Sequence, residues 1–236
     1  MFFQFQHSNA HNYLYQNRSS DSRFPLHMHN TYEFIFVISG KTKLTIDGRV
    51  FILNEGEGVL IFPNQLHETE NQTSLYLYCI FSTDIPKAYS TFVADLVPIS
   101  NKFTPDITLV NELQNLSPDD DIRKKGVLYL LCSDFHKTAQ YEKRSPDTSC
   151  LMKIFEYAEK NYTQKCSLED FARKHGYSYS YLARIFRKTA GCSFNFYINK
   201  LRIEYACYLI ICRFESQAEL RNRPLHLDSD LSCFTQ

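Results

Sequence analysis

Four residues of the first third of the chain could act on one point. His27 and His29 are separated only by Met28, so an extended backbone turns both imidazoles to the same face. Glu33 keeps that parity if the chain stays extended, and His67 follows Pro63 on a later segment. Three imidazoles and a carboxylate converging inside a barrel would suit Zn²⁺, Ni²⁺, Fe²⁺ or Mn²⁺. Catalysis would need more, namely an open coordination position and a positioned substrate. A second set of chemically useful residues lies far downstream, where Arg184, Arg187 and Lys188 sit off the apolar stripe of a short helix marked by Leu182 and Phe186. Cations on an exposed helix face suit phosphates and base edges.

The elements that must hold these residues differ between the two halves. From about residue 20 to 81 short apolar runs alternate with turn residues. Phe34–Ile38 stops at Ser39-Gly40, Lys43–Ile46 at Asp47-Gly48, Val50–Leu53 at Asn54-Glu55-Gly56 and Val59–Phe62 at Pro63-Asn64, with a further run over Leu75–Phe81. Strands recurring about every ten residues predict an all-β barrel or jelly roll. From about 105 the period lengthens towards 3.6. One helix opens at Ile107, Val110 and Leu113. A second is expected over Asp121–Tyr141, with Val127, Leu130, Leu131, Cys132, Phe135 and His136 as its apolar stripe. Residues 142–149 are polar, contain Pro146 and read as a linker.

Beyond the linker, Leu151–Tyr162 is amphipathic. Ser167 is a natural N-cap with Asp170 in the capping-box position, Gly176 stops that helix, Ser178 caps the next and Gly191 ends it. Two short helices joined by a glycine-containing turn, with basic residues on the second, describe a helix-turn-helix. Charge divides in the same place: residues 151–212 hold ten Lys and Arg against five Asp and Glu, while the whole chain of 236 residues is neutral. A basic module beside an acidic one is the electrostatic footprint of nucleic-acid binding.

Composition sets the outer bounds. With 44% apolar, 15% aromatic and 22% charged residues, the chain has material for packed cores. No apolar run approaches a membrane span, and the first residues lack the basic and apolar regions of a signal peptide, so a soluble, cytoplasmic protein without membrane partners is expected. The eight cysteines include no Cys-x-x-Cys pair, which argues for reduced, mostly buried thiols.

Two resemblances sharpen this reading. His27-x-His29-x3-Glu33-x6-Gly40 resembles the first cupin motif, and Gly58-x4-Pro63-x3-His67-x3-Asn71 resembles the second, with one residue fewer between Gly and Pro. Ser167-Leu168-x2-Phe171-Ala172-x3-Gly176-Tyr177-Ser178-x-Ser180-Tyr181-Leu182-Ala183-Arg184-Ile185-Phe186-Arg187-Lys188-x2-Gly191 is similar to the first helix-turn-helix of the AraC/XylS regulators, and Phe194–Ala206 continues the match. The resemblance implies an α+β chain of two domains. An N-terminal cupin or jelly-roll domain with dimerisation helices would occupy 1–141, and an all-α DNA-binding domain 150–212.

It also implies a cytoplasmic, homodimeric, ligand-responsive transcription regulator that binds double-stranded DNA and an unidentified small-molecule effector, and that is not an enzyme. His27, His29, Glu33 and His67 would line the effector pocket, serving mainly an organic ligand, with a divalent metal as the alternative occupant. Ser178, Tyr179, Ser180, Ala183, Arg184, Arg187 and Lys188 would form the DNA interface, with Ser180, Ala183 and Arg184 towards bases and Arg187 and Lys188 towards phosphates. The alternative is a metal-dependent cupin enzyme with a helical appendage. The family's second helix-turn-helix finds no clear counterpart: residues 213–236 read as an atypical or truncated tail, which would impair DNA binding.

Overall fold

The computed structural model describes residues 2–3, 13–20, 23–117 and 120–217. In chain order the first part holds β1 (Phe2–Phe3), β2 (Leu14–Ser20), β3 (Arg23–Met28), β4 (Tyr32–Ile46), β5 (Arg49–Asn54), β6 (Gly58–Ile61), β7 (His67–Phe81), α1 (Lys87–Phe92), β8 (Leu96–Pro98), β9 (Lys102–Phe103), α2 (Ile107–Gln114) and α3 (Asp121–Thr138). The second part holds β10 (Tyr141–Lys143), α4 (Pro146–Asn161), α5 (Leu168–His175), α6 (Tyr179–Ala190) and α7 (Phe194–Gln217). This is the expected sheet-rich domain followed by a helical one. Among the described residues no helix is long and apolar enough to cross a membrane.

The sheet is built on one long antiparallel pair, β4 with β7, in register from Tyr32↔Phe81 to Ile46↔His67. Ser39-Gly40 does not end the strand as its composition suggests. Gly40 takes a left-handed backbone (φ 82°), and the register shifts on either side of it, so the pair bends and continues. The first half of β4 is flanked by β6 and the second by β5; β7 is flanked by β3 near its start and β2 near its end. The Asp47-Gly48 turn is the hairpin anticipated from its sequence, with φ 49° and 78°.

Over Tyr32–Val37 both faces of β4 are buried, alternate side chains packing on opposite sides. Phe34 and Phe36 pack with Phe62, Phe81, Phe103, Leu128 and Phe135, joining the sheet to α3, while Ile35 and Val37 join Leu44, Ile46, Leu53 and Val59 on the other side. Gly58 is required where β6 crosses β4, since a Cβ there would lie 2.9 Å from the Ile35 carbonyl.

Three boundaries differ from expectation. Residues 142–149 are not an irregular linker. β10 pairs with β8, Tyr141 opposite Pro98, and Ser145 caps α4 with Pro146 in its first turn. The polar run is a helix-start signal, which composition alone does not separate from a loop. The long helix also stops at Thr138 rather than Tyr141, because Tyr141 enters that strand. The stripe of α3 is rotated as well: Leu128, Leu131 and Lys124 are buried, whereas Leu130 is 53% exposed beside Ile122 and Tyr129. α7 extends to Gln217, past the expected boundary at 212. Of the anticipated atypical tail, 218–236 lies outside the described residues.

Candidate ligand site and nucleic-acid interface

The structure brings His27, His29, Glu33 and His67 together. All four are buried, and one ligand atom from each lies within 4.8 Å of the others. The route differs from the extended run anticipated. The chain turns at His29-Asn30-Thr31, so Glu33 reaches the histidines from the next strand, and His67 is the register partner of His27 across β3 and β7.

Each imidazole is oriented through Nδ1. His27 Nδ1 lies 2.9 Å from the Pro25 carbonyl and His67 Nδ1 2.8 Å from the Gln65 carbonyl. His29 Nδ1 meets Thr31, at 3.1 Å from the carbonyl and 2.8 Å from Oγ1. A carbonyl only accepts, so His27 and His67 carry their proton on Nδ1 and turn Nε2 into the cluster. Glu33 Oε2 stands 2.9 Å from His29 Nε2 and 3.1 Å from His67 Nε2. A neutral His67 with its proton on Nδ1 would point a lone pair at a carboxylate oxygen. A cation between the two removes that repulsion.

Burial works against a second proton on His27 and His29. It pushes His27 well below its ordinary value, with the neighbouring His67 charge adding to the effect, and it lowers His29 despite the bond to Glu33. Burial would raise Glu33, but the His29 and His67 rings beside it outweigh that and hold the carboxyl well below the usual range. The donor set therefore fits a divalent ion: imidazole nitrogens with Nδ1 fixed by carbonyls, plus one carboxylate. Metal–ligand bonds of about 2.1 Å put two ligands on one ion at most about 4.2 Å apart, so the residues need only close by a fraction of an ångström.

A pH effect follows for the cation-free chain. His27 and His29 resist protonation when folded, whereas the unfolded chain takes up those protons below the ordinary 6.5. The unfolded state then binds more protons, so stability rises with pH up to about 6.5 and falls beneath it, by about 1.4 kcal/mol per pH unit for each group. Melting of EDTA-treated protein between pH 8 and 5 should show that fall. A flat profile would mean that the two rings are not buried neutral.

The residues that orient the rings carry no pattern in the sequence. Pro25 and Gln65 act through backbone carbonyls. The loop before His67 is clamped by Asp47, whose carboxylate accepts from Leu66 N and Gln65 Nε2, both at 2.9 Å. Gln65 Oε1 in turn accepts from Phe62 N and Asn101 Nδ2.

The second candidate surface is α6. Ser167 and Ser178 cap α5 and α6, accepting from Asp170 N and Tyr181 N, and Gly176 and Gly191 end them with left-handed backbones. Leu182, Ile185, Phe186 and Ala190 are buried. Ser178, Tyr179, Ser180, Arg184, Arg187 and Lys188 are exposed, and Ala183 is half-buried. Ser180, Arg184 and Arg187 therefore share an outward face at helical spacing. The Ser178 hydroxyl is engaged in capping. Arg184 lies over the Tyr181 ring, 5.6 Å from its centroid, and the Tyr181 hydroxyl donates to Asp147 at 2.6 Å, which ties α6 to α4. Exposed Arg173, Lys174 and His175 at the end of α5 extend the basic surface and were not singled out by the sequence reading.

Comparison with known proteins agrees with both halves. Residues 9–82 match the AraC-like ligand binding domain, and residues 159–199 match the bacterial regulatory helix-turn-helix proteins of the AraC family. The transcriptional activator RhaR of Mannheimia succiniciproducens is 24% identical, covering 91% of this chain and 83% of its own. The uncharacterised regulator YbfI of Bacillus subtilis is also 24% identical, over 83% and 77%. Among solved structures, ToxT of Vibrio cholerae shares the fold at a TM-score of 0.58 and 14% identity, covering 86% of this chain and 84% of that one.

Proposed function

Because this chain carries the ligand-binding and helix-turn-helix domains of the AraC family of transcriptional regulators, we propose that it is a homodimeric regulator rather than an enzyme. In this reading it works where the DNA is, reads DNA through α6 and responds to a divalent cation held by His27, His29, Glu33 and His67. The observation that carries this is the pairing, on one chain, of a buried polar cluster in the sheet domain with an exposed basic helix face in the other. The ToxT structure contains an unsaturated fatty acid. The four-residue cluster here is suited to an ion rather than an acyl chain.

Arg184 supplies a bidentate donor towards a base edge, while Arg187 and Lys188 meet phosphates. Arg184→Ala should cost about 1–3 kcal/mol of DNA affinity and relax preference at one base position. Arg187→Ala should weaken all sequences alike and lower the salt slope by about one. Binding titrations on a selected and a scrambled duplex, each at two salt concentrations, separate the two behaviours. An Arg184 variant with unchanged preference would remove it from the base-reading role.

The homodimer is assigned to the outer face of α3, where Ile122, Tyr129 and Leu130 are exposed together. Leu130→Glu should yield folded monomers by sedimentation. Leu131→Glu should instead destabilise the fold, since Leu131 is 1% exposed and packs in the core under the sheet. A Leu130→Glu variant that sediments like the parent would place the interface elsewhere.

A further inference from the structure

Among the described residues, the buried core of the helical domain is made of residues from Cys150 to Leu201, with one exception. Met28, 1% exposed, belongs to it. Its two neighbours in the chain are His27 and His29, 2% and 1% exposed and turned to the other side of the strand into the polar cluster. The same arrangement recurs beside the third histidine: Leu66, next to His67, packs against the helical core. Asn30, the residue after His29, donates from Nδ2 to Glu159 Oε2 of α4 at 2.8 Å. All three cluster histidines therefore lie on segments that also touch the helical domain, and alternation along β3 makes each move of the His27–His29 backbone a move of Met28.

We propose that divalent-cation occupancy of the cluster is transmitted to the helix-turn-helix domain through Met28, with Leu66 and the Asn30–Glu159 hydrogen bond as secondary contacts, so that the cation is the effector. This rests on the reading that the cluster holds a cation. When His27, His29, Glu33 and His67 share one ion, their ligand atoms draw closer than the 4.8 Å they span. The backbone between His27 and His29 moves with them, and Met28 moves in a close-packed core that does not absorb the shift. A ligand changes an equilibrium only through differential contacts with its two states. Met28 supplies that difference, since its seat in the helical-domain core depends on where the two histidines lie.

The test uses the full chain with Zn²⁺ or Mn²⁺ as probe. It combines cation stoichiometry by elemental analysis with hydrogen exchange of the amides of residues 146–161. The expected result is about one ion per chain and at least a fivefold change in exchange of those amides on loading. Met28→Ala should keep the stoichiometry and lose the exchange change, whereas Met28→Leu should keep both. A chain that loads with cation yet shows the same exchange in 146–161 overturns the transmission while leaving the cation site standing. A chain that does not load overturns the cation reading and the transmission with it. If Met28→Ala does not fold, the comparison of loaded and cation-free parent decides alone.

Discussion

His67→Ala should reduce the cation held after dialysis against Zn²⁺ or Mn²⁺ from about one per chain to less than a tenth. Among the described residues, His67 supplies one of the two nitrogen contacts within hydrogen-bonding distance of Glu33 Oε2, His29 the other, and His67 arrives from a different segment than His27 and His29. Without it three donors remain, all from residues 27–33. Loss of an orienting partner alone typically costs 10–100-fold in affinity, so loss of a ligand should cost about 100-fold or more. Elemental analysis and competition with a chelator check this. The variant leaves a cavity and takes one partner from the buried Glu33, so it should melt below the parent, and loading is measured at a temperature where circular dichroism shows it folded. A variant that retains stoichiometric cation would place the ion elsewhere.

The second large effect is on DNA. The combined substitution of Arg184, Arg187 and Lys188 by alanine should reduce affinity by about 100-fold or more at physiological salt and lower the salt slope by about two. One base contact of about 1–3 kcal/mol and two phosphate contacts are lost together. All three side chains are exposed, opposite the buried Leu182, Ile185 and Phe186, so the helical core should melt as in the parent. Anisotropy titrations on one duplex at two salt concentrations give both numbers. Unchanged affinity in a folded triple variant would move the interface off α6.

Local signals in the sequence were enough for much of this. The Asp47-Gly48 hairpin, the Ser167 and Ser178 caps and the glycine stops at 176 and 191 each depend on a few adjacent residues, and each stands as read. The His-x-His spacing with Glu33 and His67 named the cluster, although a turn at His29-Asn30-Thr31, not an extended run, brings Glu33 in.

What escaped depends on distant partners. β4 runs through Ser39-Gly40 because β7 pairs with it on both sides of the bend. The 142–149 stretch is ordered because Leu96–Pro98 accepts β10 as a strand partner. Leu130 and Leu131 are indistinguishable by composition, and only the packing of α3 against Phe62, Phe103 and neighbouring residues decides which is buried. Met28 reads as a spacer between two histidines until the helical domain is placed against it.

The central claim, that the chain is a DNA-reading regulator, is tested most directly by binding to DNA fragments recovered from its own genome. The recovered duplex and a scrambled version would be titrated with the full chain at low and physiological salt. Tighter binding to the recovered duplex is expected, falling with salt in proportion to the few phosphates that α6 neutralises. A folded chain that binds neither duplex at low salt, or binds both equally at every salt concentration, would contradict it.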